Sequence, residues 1–144
     1  MFLPAALLLA LAACGARRPE GLGVTDGRLA PCGSKPNCVA TRGAAPGRTL
    51  PPFRFAGTAA AAQEKLKRLC LGMPRVTLAA ERPGYLAFEF RSALFRFVDD
   101  VEFLFDEGAK EIHFRSASRV GRSDLGVNRK RMETIARAFA AEGS

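Results

Sequence analysis

A run of alternating apolar and polar residues between positions 75 and 118 constrains the fold more than any other feature. A two-residue period puts successive side chains on opposite faces of a strand. Short connections, two of them containing glycine, interrupt the run and predict consecutive antiparallel hairpins. The predicted strands are residues 75–81, 85–91, 94–105 and 110–118. One face of the resulting sheet is rich in phenylalanine and needs a cover.

Two amphipathic segments flank this sheet and can supply that cover. Residues 58–72 predict a helix with Thr58 as its N-cap, and residues 127–142 predict a second helix. Cys70 falls on the apolar stripe of the first helix, so we expect a buried thiol. The chain has 144 residues, 48% of them hydrophobic, which suits one domain. The predicted fold is α+β: a helix, a four-stranded antiparallel β-meander and a C-terminal helix, with the helices covering one face of the sheet.

The N-terminal residues predict export. Residues 1–13 are apolar and uncharged, and the run is too short to cross a bilayer as a helix. The tetrad Leu11-Ala12-Ala13-Cys14 resembles the lipobox of bacterial lipoproteins, which implies lipidation of Cys14 after removal of residues 1–13. Gly15 is compatible with transport to an outer membrane in such lipoproteins. An ordinary secretory signal that contains a cysteine by chance is the alternative.

This interpretation divides the chain into a signal peptide (1–13), a tether (14–28) and a single α+β domain (29–144). The expected location is the envelope membrane, facing the periplasm, with the lipid on Cys14 as the anchor. The net charge is +8, and residues 14–57 hold seven basic residues against two acidic ones. A basic tether suits anionic headgroups, although a solvated surface without a partner explains the charge equally well. Export and the lack of aromatic residues among the cations argue against nucleic acid.

Cys32 and Cys38 are close enough in sequence to close a small ring. In an exported protein such a pair predicts a disulfide. A metal or redox pair is the alternative, but it lacks both a second pair of ligands and CxxC spacing.

Charged residues concentrate between positions 95 and 131. The acids Asp99, Asp100 and Glu102 could supply oxygen ligands to Ca²⁺ or Mg²⁺. Strand alternation puts Asp99 on the face opposite the other two, so a single three-carboxylate site would need a bulge. Salt bridges to Arg115 and Arg119 on a neighbouring strand are the favoured alternative.

The last helix begins with cations, which its dipole disfavours. Asp124, and Asn128 as an N-cap, would relieve this only in part. Two explanations stay open: the acids at 99–102 pair with Arg129 and Arg131, or the helix N-terminus, Ser123 and these arginines hold an external anion. The candidate anion-binding or ion-pair cluster therefore comprises Asp99, Asp100, Glu102, Arg115, Arg119, Ser123, Asp124, Asn128, Arg129 and Arg131.

No catalytic motif is present. The stretch 121–126 departs from GxSxG because its second glycine comes one residue late, and the only histidine, His113, falls inside a predicted strand. No cofactor fingerprint or metal motif appears either. The expected function is a non-catalytic binding domain for an anionic ligand, a lipid headgroup or a protein partner. The alternative is a small metal-dependent envelope enzyme that uses Asp99, Asp100, Glu102, Arg115 and Arg119.

Several motifs resemble one protein family. They are Phe97-Val-Asp-Asp-Val-Glu-Phe103, Arg115-Ser-Ala-Ser-Arg119, Gly121-Arg-Ser-Asp-Leu-Gly-Val-Asn-Arg-Lys-Arg131 and, upstream, Pro36-Asn-Cys38. Together they resemble the bacterial and plastid family called domain of unknown function 1499 over residues 30–140. The chain departs from the family at Arg122, where an aromatic residue is expected. The resemblance implies a small exported or membrane-associated domain and implies no established activity.

Overall fold

The computed structural model describes residues 17–143. The strands are β1 (Val24–Thr25), β2 (Arg28–Leu29), β3 (Cys38–Ala40), β4 (Phe53–Arg54), β5 (Val76–Arg82), β6 (Tyr85–Arg91), β7 (Val98–Asp106) and β8 (Glu111–Ser118), and the helices are α1 (Ala59–Leu71) and α2 (Val127–Ala141). The predicted signal peptide, Cys14, Gly15 and Ser144 lie outside the described residues. Neither described helix is long and apolar enough to cross a bilayer.

The α+β class is confirmed, but the sheet is larger than the predicted four-stranded meander. Strands β5 to β8 form that meander, and β3 and β4 both pair antiparallel with β8 to complete a six-stranded sheet. The prediction was wrong in strand number because β3 and β4 have only three and two residues. Such short segments cannot display a two-residue period.

The two helices pack on one face of the sheet, where the core lies. α1 begins as predicted, since the Thr58 hydroxyl accepts a hydrogen bond from the Ala61 amide at 3.1 Å. The core combines strand phenylalanines with apolar side chains of both helices. Its largest fully buried members include Phe88, Phe103, Phe114, Leu66, Met132 and Ile135.

The opposite face of the sheet is covered by the N-terminal segment. β1 and β2 form a two-stranded hairpin, and β2 packs against β7. We call residues 23–31 the N-terminal arm. The Gly23 amide of this arm donates a 2.6 Å hydrogen bond to the buried carboxylate of Glu102.

The predicted disulfide between Cys32 and Cys38 is confirmed. The side chain of Arg48 contacts the loop that this disulfide closes, donating hydrogen bonds to the carbonyl oxygens of Gly33 and Lys35 at 3.1 and 2.7 Å. Cys70 is a buried free thiol on α1, and burial raises its pKa to about 12. A thiol with so high a pKa is a poor nucleophile at neutral pH.

Candidate functional site

The charged residues that the sequence groups together are divided between the two faces of the sheet. Asp99 lies on the helix-covered face, where it meets Arg131 of α2. Asp100 and Glu102 lie on the other face, where Asp100 meets Arg119 and Glu102 meets the N-terminal arm. Consecutive strand residues point to opposite sides, so this division follows from the position of the acids in β7.

On the helix-covered face, Arg131 connects α2 to the sheet. Its Nη2 atom donates to Asp99 Oδ2 at 2.6 Å, and its Nη1 atom donates to Asn128 Oδ1 at 2.8 Å. Ser116 of β8 also donates to Asn128 Oδ1, at 2.6 Å. The guanidinium lies over the Phe90 ring at 4.8 Å from its centroid. This network joins α2 to three strands, which indicates a structural role.

On the other face, Arg119 donates hydrogen bonds to two carboxylates. It donates to both oxygens of Asp100 at 2.8 Å, and to Glu89 at 2.6 Å. The hydrogen bonds that the guanidinium donates to Asp100 raise its pKa, with Glu89 adding to the effect. A bidentate pair of this kind fixes both side chains in orientation.

Glu102 is fully buried beneath the N-terminal arm. Its Oε1 atom accepts hydrogen bonds from the Tyr85 hydroxyl at 2.7 Å and from the Gly23 amide at 2.6 Å. Burial, followed by the neighbouring Glu102 carboxylate, raises the pKa of Tyr85, so the phenol keeps its proton. The Oε2 atom lies 3.9 Å from Arg115 Nη1 and makes no hydrogen bond within the described residues.

The start of α2 differs from the expectation. Asn128 was predicted as a candidate N-cap, which is wrong: it lies inside the helix and is fully buried. Asp124 does the capping, since its two carboxylate oxygens accept hydrogen bonds from the backbone amides of Gly126 and Asn128, both at 2.9 Å. Burial opposes ionisation of Asp124, but these hydrogen bonds and one from the Asn128 side chain outweigh it and lower its pKa.

This cap occupies backbone donors that an external anion at Ser123–Arg131 would use. Arg129 of that corner donates to the Gly47 carbonyl oxygen at 2.5 Å and lies 3.7 Å from Glu133. The Ser123 hydroxyl accepts a hydrogen bond from the Leu125 amide at 3.3 Å. The backbone amides at the start of α2, Arg129 and Ser123 therefore already have hydrogen-bond partners within the chain.

The metal-dependent alternative needs several free carboxylates in one place. Between residues 17 and 143, no three His, Cys, Asp or Glu side chains are arranged to hold a metal ion. Asp99 and Asp100 each bind an arginine and lie on opposite faces of the sheet. No observation favours that alternative.

A pocket that the sequence did not reveal lies between the N-terminal arm and the sheet. Its volume is about 230 Å³. The arm, the loop after β3 and the strands β7 and β8 contribute Arg28, Leu29, Pro31, Thr41, Arg42, Gly43, Leu104, His113 and Phe114. Gly43, at φ +71°, lets the loop approach the arm, because an added Cβ would lie 2.9 Å from the Pro31 Cβ. Two arginines thus border a largely apolar pocket.

His113 is the buried polar group of this pocket, with 5% of its surface exposed. Its Nδ1 atom lies 3.1 Å from the Thr41 hydroxyl, which already accepts a hydrogen bond from the Phe114 amide. The hydroxyl proton is therefore available to Nδ1, and the neutral ring then carries its proton on Nε2. Nε2 lies 3.3 Å from Glu111 Oε2 but makes no hydrogen bond within the described residues.

Burial, and then the positive charge of Arg42, lowers the pKa of His113. The imidazole is therefore neutral at pH 7, and Nε2–H is a buried donor that finds no acceptor among residues 17–143. A lone histidine within a strand was the only sequence signal for this pocket. Its surroundings come from the arm and the loop after β3, which are distant in sequence.

Comparison with protein-family models matches residues 28–139 to the family described as Protein of unknown function (DUF1499). Comparisons with curated proteins and with solved structures found no match. The matched range holds all the strands of the large sheet and both helices down to Phe139 of α2. The chain belongs to the DUF1499 family.

Proposed function

We propose that this chain is a non-catalytic binding domain that takes a small organic anion in the pocket beneath the N-terminal arm. The observation that carries the proposal is the buried Nε2–H of His113, which lacks an acceptor in the described part of the chain. His113 lines a pocket that Arg28 and Arg42 border. A buried donor left without a partner costs about 1–3 kcal/mol. An anionic acceptor would remove that cost.

The shape and lining of the pocket define the ligand class. About 230 Å³ is below the usual range for drug-sized ligands. Leu29, Pro31 and Leu104 make most of the wall apolar, and the charged groups are arginines. A short aliphatic chain that ends in a carboxylate or phosphate matches both properties.

Hexanoate is a suitable probe, and hexanol is its uncharged control. We expect hexanoate, but not hexanol, to raise the melting temperature of the full chain and to shift the Nε2 resonance of His113. Arg42→Gln should weaken hexanoate binding about tenfold or more, as expected for loss of a hydrogen bond to a charged group. Arg68→Gln, on the exposed side of α1, is the matched control and should leave binding unchanged.

Equal binding of hexanoate and hexanol would show that the arginines do not select an anion. Equal losses of hexanoate affinity in Arg42→Gln and Arg68→Gln would show a nonspecific effect of net charge. Either result would contradict the proposal.

We also propose that a lipid on Cys14 holds this domain at the envelope membrane, with the binding pocket facing the periplasm. The lipobox tetrad 11–14 supports this anchor. Full-length protein made in a Gram-negative host should incorporate labelled palmitate and fractionate with membranes. Cys14→Ser should abolish the label, whereas labelling that persists in Cys14→Ser would contradict lipidation at this residue.

A further inference from the structure

Large apolar side chains are exposed at one end of the sheet. In the loop between β6 and β7, Leu94 is 80% exposed, Phe95 69% and Phe97 52%. In the loop between β8 and α2, Leu125 is 93% exposed. Singly exposed apolar residues are common on soluble proteins, but several at one end of a molecule mark an interaction surface.

The two loops lie at the same end of the sheet. The pairing of β7 with β8 puts Asp99 opposite Ser118, next to the β6–β7 loop. Beyond this pair, the Arg119 amide donates to the Val98 carbonyl oxygen at 3.0 Å. Both loops therefore leave the sheet side by side. We call residues 92–97 and 120–127 together the apolar end.

The backbone conformation of the loop between β6 and β7 keeps its apolar side chains exposed. The Ser92 amide donates to the Phe97 carbonyl oxygen, and the Phe97 amide donates to the Ser92 hydroxyl, both at 2.9 Å. Arg96 has φ +56°, in the left-handed region that residues with side chains rarely adopt. The Phe95 and Phe97 rings stack with centroids 5.5 Å apart. Local hydrogen bonds thus hold these rings outward, away from the core.

The exposed charged side chains at this end of the sheet are arginines. Arg96 and Arg122 are exposed within the two loops, and Arg75 is exposed beside them, where its carbonyl oxygen accepts from the Arg91 amide at the end of β6. The nearby acids are already bound within the chain. The acids and their partners are Glu89 and Asp100 with Arg119, Asp99 with Arg131, and Asp124 with the first turn of α2.

We propose that the apolar end inserts into the surface of a membrane that contains anionic lipids. The apolar side chains would enter the headgroup–acyl boundary, and the arginines would contact lipid phosphates. Exposed apolar tips surrounded by cations complement such a surface in both polarity and charge. This surface is separate from the pocket at His113, so it does not depend on the ligand proposed above.

Tryptophan fluorescence tests the proposal directly, because the chain contains no tryptophan. Phe95→Trp and Leu125→Trp place a single fluorophore at the apolar end of the full-length chain. Ala109→Trp places it in the exposed turn between β7 and β8, at the opposite end of the sheet. The vesicles contain phosphatidylcholine alone or with phosphatidylglycerol, and brominated acyl chains act as quenchers.

With phosphatidylglycerol present, the tryptophans at 95 and 125 should shift to shorter wavelength and lose most of their emission to the quencher. The tryptophan at 109 should change little, even though the leader and any anchor bring all three variants to the same membrane. Arg96→Gln with Arg122→Gln in the Phe95→Trp background should reduce the response. Within residues 17–143 these two arginines make no side-chain hydrogen bond or ion pair, so folding should not suffer.

Equal quenching at positions 95 and 109 would overturn the proposal, since only the leader would then determine membrane contact. A response that is the same in vesicles with and without phosphatidylglycerol would also overturn it. A concentration-dependent blue shift of the tryptophan at 95 without vesicles would identify a second copy of the chain as the occupant, and would overturn it as well.

Discussion

At the residue scale, His113 faces charges from several elements. Arg42 in the loop after β3 disfavours the protonated ring, whereas Glu111 and Asp106 favour it. Burial is the largest influence, and the net result is a lowered pKa. The histidine is therefore held neutral in the folded state.

This predicts that the protein loses stability in mild acid. The unfolded chain takes up a proton near pH 6.5, before the folded chain does, so the free energy of unfolding falls as pH drops from 6.5 toward the lower folded pKa. Well above pH 6.5, where His113 is neutral in both the folded and the unfolded chain, it contributes no pH dependence to the free energy of unfolding. His113→Gln should remove this component between about pH 7 and 5, as measured by urea denaturation. An unchanged slope in His113→Gln would assign the acid sensitivity to other groups.

At the element scale, the first turn of α2 depends on Asp124. Arg129, Lys130 and Arg131 put three cations where the helix dipole is positive, and the Asp124 carboxylate offsets them while accepting from the Asn128 amide. Loss of an N-terminal cap costs about 0.5–2 kcal/mol.

Asp124→Ala should therefore lower the free energy of unfolding by about 1 kcal/mol or more. Ser123→Ala is the control, because that hydroxyl accepts a 3.3 Å hydrogen bond from Leu125 in an exposed loop. The difference in free energy of unfolding between the native chain and Asp124→Ala should shrink as pH falls through the lowered pKa of Asp124, because protonation weakens the cap in the native chain. Equal effects of the two substitutions would contradict this role.

At the scale of the whole molecule, the pair formed by Asp99 and Arg131 joins the C-terminal helix to β7, a central strand of the sheet. Their side chains are 11% and 12% exposed, and their charged atoms are 2.6 Å apart. Removing one member of a buried pair leaves an uncompensated charge, which typically costs about 3–5 kcal/mol.

Asp99→Asn and Arg131→Met should each destabilise the protein by about that amount, and the double variant should recover much of the loss. Chemical denaturation of the four proteins gives the coupling energy. Glu64→Gln is the control for an exposed pair: Glu64 lies 3.1 Å from Lys67 on the surface, so its loss should cost less than about 1 kcal/mol. A strictly additive double variant would show that the pair is not coupled.

The sequence alone predicted the meander, both helices and the disulfide, because each depends on neighbours in the chain. Alternation over 75–118 records which face of each strand is buried, and Thr58 and Gly72 mark the ends of α1 by local hydrogen bonds. The same alternation separated Asp99 from Asp100 and Glu102. Which arginine each acid meets became visible only in three dimensions.

The rest depended on tertiary contacts. β3 pairs with β8 across a large separation, as Cys38 opposite Ala117 shows, and three residues are too few to predict a partner. The N-terminal arm covers the polar face through Gly23 and Glu102, which no local pattern records. The pocket at His113 exists because the arm and the loop after β3 meet over β8. Local sequence determines the backbone conformation of each element and which of its faces is apolar enough to be buried. Long-range packing decides which polar groups find a hydrogen-bond partner and which do not.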